Sequence, residues 1–428
     1  MAIITHLAKT GRAAAAEWQS TMHGEVLLPR DDGFGRNFPH TRLLSQGSED
    51  NLPAVIARCE THRDVQAALR TARAHGLAVT VRGGEHDASV RALKPGELVA
   101  DLSDMRQVTI RPDTRVAIVG GGATVKDVVA AAAKHGLVPV TGICSSARMA
   151  SLKLDGGYGP LLGRYGLAAD NVLEAEIVLK SGQHVSANAD RNRDLFRALC
   201  VGGADIGVVT SLHVRLRALP SLLAGMIFYA WSDADLVLRG YSLLAASAPD
   251  YLTISAGIVS GPDGNPLLFI APTWCGEMEE GEHVLAALQA FGDPLATIIG
   301  PMSYLDLLTI HDRYIARAPR YSTHRRYLPA LTDRAISATI VAANARTSPL
   351  SAIVLHHFRG GATRVHSEAG AFGLRDEHFL LEAIAAWEPA ASNPAASHQL
   401  WAQNLSDALA PAALARDYAN LLELDGSR

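Results

Sequence analysis

The chain is poor in several features that would each fix its class. It has four cysteines in 428 residues (Cys59, Cys144, Cys200 and Cys275), and none stands in a CxxC pair. That scatter excludes a disulfide framework and the common zinc-ligand spacings, so no metal site is expected. Aromatic residues make up only 6%, and the net charge is a modest −4. No basic run exceeds Arg325-Arg326, so nucleic acid is not an expected partner. No apolar stretch approaches the roughly 20 residues that cross a bilayer. The longest, Ser221–Trp231, reads as a strand, so no membrane is expected either. The N-terminal MAIITHLAKTGRAAAAEW lacks a basic start leading into an uninterrupted apolar stretch and is not read as a secretion signal. The expectation is a cytoplasmic protein with free thiols.

Glycine is abundant, with 37 residues, and 48% of the chain is apolar, enough for two domains with substantial cores. A helix is expected over 4–22, then an irregular lead-in to residue 50. Strand and helix then alternate. PAVIARC and LAVTVRGG flank a helix with Thr61 as N-cap and Gly76 at its end, and LVADLS and RVAIVGGG follow as strands. TVKDVVAAAAKHG reads as a helix leading into LVPVTG. LEAEIVLKSGQHVSA reads as a hairpin turning at Lys180–Gln183, with a short helix at DLFRALC and a strand at GVVTSLHVRL. After Pro220, strand-like AGMIFYAW, YLTISAGIV and PLLFIAPTW alternate with helical stretches at 233–247, 278–291, 302–317 and 332–345. That order fits helices on one face of an antiparallel sheet.

The segment VTVRGGEHD (79–87) runs a β-branched strand into a glycine turn holding one histidine. Gly83 and Gly84 let backbone N–H groups approach a ligand, and His86 is a residue type that serves as base, nucleophile or covalent tether. Alone, such a histidine reads more often as a polar loop residue. The Gly120-Gly121-Gly122 run opens a helix, but the third glycine of a dinucleotide fingerprint would fall on Val125, so an NAD site is discounted.

Further motifs follow in order: VGGGA (119–123), GICSSARMASLKLDGGYG (142–159), GRYGLAADNVLEAEIVL (163–179) and DLFRALCVGGADIGVVTS (194–211). Together with the His86 turn they resemble the flavin domain of the vanillyl-alcohol-oxidase (PCMH-type FAD-binding) superfamily, berberine-bridge-enzyme-like branch. The resemblance implies an α+β fold: a two-subdomain PCMH-type FAD-binding domain plus a substrate domain with an antiparallel sheet flanked by helices. The expected boundaries are 1–50 for the lead-in, 51–220 for the flavin domain, 221–400 for the substrate domain, and 401–428 for a shortened segment returning to the first.

By that resemblance FAD is the cofactor, held by Arg82, Gly83, Gly84, Glu85, His86, Cys144, Gly156, Gly157, Gly159, Gly207, Val208 and Val209. His86 stands where relatives bond the flavin covalently, and Cys144 where some carry a second link; a small buried thiol is the plainer reading of Cys144. A small organic substrate, of a secondary-metabolite kind, would give a hydride to the flavin, with O₂ or another acceptor reoxidising it. Tyr418 and Asn420 stand where relatives carry a Y-x-N-Y motif, whose second tyrosine is Leu421 here. His356 and His357 lie on the expected strand SAIVLHHF and point to opposite faces, so at most one meets the flavin; His356 is taken as the catalytic one. Tyr304, Tyr314, Tyr321, His324 and Arg375 are further candidates. Glu85, Arg148, Ser151, Asp155, Val201 and Ala204 replace glycines that relatives prefer. Weaker FAD occupancy is therefore expected, and a non-redox cyclase or isomerase on the same scaffold stays open as the alternative.

Overall fold

The computed structural model describes residues 15–16, 18–19, 22–28, 53–83, 96–150, 156–200, 206–218, 222–315, 320–365, 373–388 and 394–414. Two compact units divide the chain. One comprises Met1–Pro139, Ser146–Asp155 and Asn171–Arg217, the other Val140–Ser145, Gly156–Asp170 and Ala218–Arg428. Residues 140–145 and 156–170, which the sequence boundaries put with the flavin domain, thus group with the second unit.

The first unit holds two sheets. Strands β1 (Glu25–Leu27), β2 (Val55–Arg58), β3 (Val79–Arg82) and β4 (Leu98–Asp101) lie in the order β1-β2-β4-β3, with β2, β4 and β3 parallel. The crossover between β2 and β3 is helix α1 (His62–His75). It starts at a capping box in which Thr61 and Asp64 satisfy each other's backbone N–H, and it ends at Gly76 in the left-handed region, φ 65°. Val65, Ala68, Leu69 and Ala72 repeat at helical spacing and bury against β2 and β4, with Trp18 sealing the same core. Of the helix expected at 4–22, residues 15, 16, 18 and 19 are described and helical.

The second sheet contains β5 (Val108–Arg111), β6 (Val116–Gly120), β7 (Leu137–Pro139), β8 (Val172–Leu179), β9 (His184–Asn188) and β10 (Gly207–Ala218). Its order is β5-β6-β10-β8-β9, with β7 joined to β10. β6 lies antiparallel between β5 and β10, so the run Gly120–Gly122 opens no doubly wound nucleotide fold. Helix α2 (Val125–Ala133) follows it, started by a Thr124–Asp127 capping box, and helix α3 (Arg193–Cys200) leads toward β10. The hairpin β8–β9 turns at Gly182, φ 85°, as its sequence predicted.

The second unit is a seven-stranded antiparallel sheet. Its strands are β11 (Leu223–Tyr229), β12 (Leu252–Ser260), β13 (Pro266–Trp274), β14 (Pro294–Pro301), β15 (Arg320–Leu328), β16 (Ala352–Phe358) and β17 (His378–Trp387), in the order β14-β11-β13-β12-β16-β17-β15. Helices α4 (Ala234–Ser247), α5 (Met278–Gln289), α7 (Asp333–Asn344) and α8 (Ala395–Leu409) bury Ile227, Ile254, Ile270, Ile353, Leu355, Leu381 and Trp387 on one face of the sheet. Helix α6 (Tyr304–Ile315) brings Ile310 against Met226 and Phe269 on the other face. The boundary drawn at residue 400 falls inside α8, whose Trp401 donates to the Ala342 carbonyl of α7 at 2.8 Å and so belongs with this sheet.

The glycines give a direct stability test. A Cβ on Gly122 would lie 1.7 Å from the Leu102 carbonyl oxygen, whereas one on Gly300 would meet nothing within 4 Å. Gly122→Ala is expected to cost about 3 kcal/mol and Gly300→Ala less than about 0.5 kcal/mol, read by denaturant unfolding. Equal costs would contradict the packing.

Candidate active site

In the first unit, β3 delivers Arg82, whose guanidinium lies 3.4 Å from Asp101 at the end of β4. Gly83 follows, and Gly84, Glu85 and His86 lie outside the described residues. A Cβ on Gly83 would sit 3.8 Å from both the Gly121 carbonyl oxygen and the Arg148 side chain, so the turn after β3 meets the Gly120–Gly122 turn beside a guanidinium. Arg148 donates to the Gly122 carbonyl, and its backbone bridges Thr124. A cationic group among glycine turns at strand ends fits a diphosphate, whose charge needs fixed donors and whose bulk needs missing side chains.

Several glycines serve the chain itself. A Cβ at Gly207 would stand 2.3 Å from the Val178 carbonyl oxygen, and one at Gly121 2.7 Å from that of Val209. Val208 and Val209 are buried in β10. In the second unit, Gly156 (φ 97°) and Gly157 (φ 67°) adopt left-handed backbone, and their carbonyls accept from Ala169 and Ala168. Gly159 presses on Thr141, where a Cβ would fall 2.2 Å from its carbonyl oxygen.

The sheet of the second unit carries the most reactive-looking cluster. Glu382 stands in an apolar strand, HFLLEAIAAW, opposite Arg325 on β15 and Val354 on β16. Its side chain points away from the helix-covered face. Arg325 Nε donates to Oε1 at 2.7 Å, and the Tyr158 hydroxyl donates to Oε2 at 3.0 Å. His356, two residues along β16 from Val354, brings Nε2 to 3.5 Å from Oε2. The Tyr158 ring packs on His356 at 4.7 Å and on Phe358 at 5.4 Å between centroids. Burial works to raise the Glu382 carboxyl, but His356 and the Arg325 charge outweigh it and hold the group down at about 2. Burial, then the Glu382 charge, push the Tyr158 phenol well above its ordinary value, so it stays a donor.

A narrow pocket of about 30 Å³ opens beside this cluster. Tyr158, His356 and the hydroxyl side chains Thr253, Ser255 and Thr273 give it polarity, while Ile143, Leu162 and Ala271 make it apolar elsewhere. A space of that size admits about one water-sized group, so only the reacting end of a substrate would enter it.

The remaining candidates are otherwise engaged. His357 turns to the other side of β16, stacks on Phe379 at 4.5 Å and meets Glu377 at 3.0 Å; burial lowers it to about 3 and keeps it neutral. Arg375 forms a buried fork with Asp170, at 2.7 and 2.9 Å. Tyr304 is buried against Thr141 at 2.7 Å, and Tyr321 lies exposed on β15. His324 is half-buried on β15 opposite Ala383. The Cys144 thiol donates to Asp312 at 3.1 Å, an oxygen that also takes the Ser145 N–H at 2.9 Å. The Tyr314 side chain, Tyr418 and Asn420 lie outside the described residues, as do the glycine replacements Ser151, Asp155, Val201 and Ala204. Among the described residues, no group of three His, Cys, Asp or Glu side chains could hold a metal ion. Glu382, Tyr158 and Arg325 were missed from sequence, although a lone carboxylate in a ten-residue apolar strand demands partners.

Residues 53–188 match a family model described as an FAD binding domain. The (R)-6-hydroxynicotine oxidase of Paenarthrobacter nicotinovorans is 33% identical over 294 residues, which cover 68% of this chain and 63% of that enzyme. The FAD-linked oxidoreductase aurO of Gibberella zeae is 27% identical over 92% of this chain and 78% of its own. Among solved structures, 6-hydroxy-D-nicotine oxidase from Arthrobacter nicotinovorans superposes with a TM-score of 0.79 at 26% identity, covering 94% of this chain and 89% of that one. The Physcomitrella patens BBE-like 1 protein reaches 0.83 at 19% identity, covering 97% and 91%, a likeness of fold. Residues 53–188 thus form an FAD-binding domain, the relatives of this chain are FAD-linked oxidoreductases, and FAD is its cofactor. The names of these relatives favour redox chemistry over the cyclase or isomerase alternative.

Glu382 makes the unit acid-sensitive in a defined window. A carboxyl depressed from 4.5 to about 2 contributes stability that is complete above its ordinary value and lost as pH falls toward about 2. Glu382→Gln is expected to lower stability by about 3 kcal/mol at neutral pH, since Arg325 loses its buried partner. It should also flatten the melting-temperature profile between about pH 4.5 and 2. An unchanged acid slope would contradict the assignment.

Proposed function

We propose that this chain oxidises a small organic molecule, His356 taking the proton the substrate releases, with bound FAD as the group that would accept the hydride. The cluster of His356, Glu382, Tyr158 and Arg325 beside a narrow pocket carries the reading. Bound flavin supplies the two-electron acceptor that no side chain can provide. Arg82, Gly83, Arg148 and the Gly120–Gly122 turn hold the diphosphate, joined by Gly84, Glu85 and His86. Gly156, Gly157, Gly159, Gly207, Val208 and Val209 shape the backbone around the cofactor. His86 is the covalent tether.

His356 holds its imidazole Nε2 within ion-pair reach of Glu382, so an imidazolium formed there finds an anion beside it. Arg325 and Tyr158 fix that carboxylate, so its charge needs no rearrangement as the proton arrives. Thr253, Ser255 and Thr273 orient the polar end of the substrate. Tyr418 and Asn420 assist from the C-terminal segment. O₂ or another acceptor takes the electrons onward. The fungal relatives support a secondary-metabolite substrate, and a reducing, cytoplasmic setting suits the free Cys59, Cys144 and Cys275.

Two measurements test this. Acid-precipitated protein should retain flavin fluorescence in a denaturing gel band, and His86→Ala should lose it; flavin left wholly in the supernatant of the parent protein contradicts the tether. His356→Ala should keep its flavin but slow anaerobic flavin bleaching by substrate about 100-fold. Bleaching within a few-fold of the parent would remove His356 from the chemistry.

A further inference from the structure

We propose that strand β14 is the docking edge for a second copy of this chain, the two β14 strands pairing antiparallel about a two-fold axis. β14 ends the seven-stranded sheet and pairs with β11 alone among the described strands. Its sequence, PLATIIGP, carries no charge over eight residues, and Leu295 and Ile298 are 64% and 62% exposed. A sheet edge offers a row of unsatisfied N–H and C=O groups, which proteins ordinarily guard with charge or cover.

The opposite edge of this sheet is guarded in that way. β15 carries Arg320, His324, Arg325 and Arg326, and the Leu414 N–H closes on the Tyr327 carbonyl at 2.8 Å. Arg326 Nε also reaches the Ser406 carbonyl of α8 at 2.9 Å. Among the described residues β14 has neither charge nor cover, so only one of the two edges is left open to pairing.

Its own copy is the occupant this strand fits. Antiparallel edge pairing by a two-fold perpendicular to the sheet keeps the two faces continuous, so opposed residues share a face. With Thr297 on the axis, Thr297 meets its twin, Ala296 meets Ile298 and Leu295 meets Ile299. These are a hydroxyl pair and two apolar pairs of the kind that stabilise adjacent strands. Pro294 falls opposite Gly300, which has nothing within 4 Å of an added Cβ and so has room for the ring. Asp293 faces Pro301, and no charge faces its like. The row of Met226 opposite Ile298 and Phe228 opposite Ala296 then continues across the axis as one apolar face.

Light scattering of the full-length, flavin-loaded protein tests the proposal. The parent is expected to have twice the chain mass, and the double variant Thr297→Lys/Ile298→Lys to have half the parent's mass with the parent's circular-dichroism spectrum and a melting temperature that no longer rises with protein concentration. Leu243→Lys, at a site 76% exposed on α4, should stay dimeric. Independently, mild oxidation of Thr297→Cys should give a disulfide-linked dimer on a non-reducing gel. A monomeric parent, a dimer that survives the paired lysines, or dissociation by Leu243→Lys overturns the proposal.

Discussion

A single buried negative charge organises the second unit. Taking a carboxylate out of water costs several kcal/mol unless partners replace the lost solvation. Glu382 finds them in Arg325 on the neighbouring strand and in Tyr158, a residue far away in sequence. The charge therefore ties β15 and β17 to the segment 156–170. The same segment is secured elsewhere by the Asp170–Arg375 fork and by the Gly163 N–H, which donates to Thr253 at 3.1 Å. Rigid support of this kind keeps His356 at a fixed distance from an anion.

The first unit is shaped by a different constraint, the closeness of backbone to backbone. Gly120, Gly121 and Gly122 let β6, β10 and the loop after β4 approach until carbonyl oxygens occupy the space of a side chain. The resulting turn sits beside Gly83 and Arg148. The Arg148 guanidinium folds back onto the Gly122 carbonyl, so a positive charge stands among these close-packed glycines.

Much of the fold was legible because local signals were strong. Thr61 and Thr124 start their helices, Gly76 ends one, and Gly182 turns a hairpin, each through hydrogen bonds made within a few residues. β14, β15 and β17 were not read. PLATIIGP is bounded by prolines, RYSTHRRYL is dominated by charge, and HFLLEAIAAW has no alternation because both its faces are buried. The site divided along the same line. His356 was legible from its strand and the alternation beside His357, whereas Tyr158, Arg325 and Glu382 meet only through sheet register and a long-range contact. Arg375 stood among the candidates, but its partner Asp170 lies 205 residues away and makes it a structural fork.

The central claim is that Glu382 is an ionised anchor beside His356, and carboxyl-carbon NMR through an acid titration measures it directly. The resonance, assigned by its loss in Glu382→Gln, should show no inflection near 4.5 and stay in its ionised position until the protein approaches pH about 2 or unfolds. An inflection at or above the ordinary carboxylate value would mean that Arg325 and His356 do not hold the charge, and the account of the site would fail.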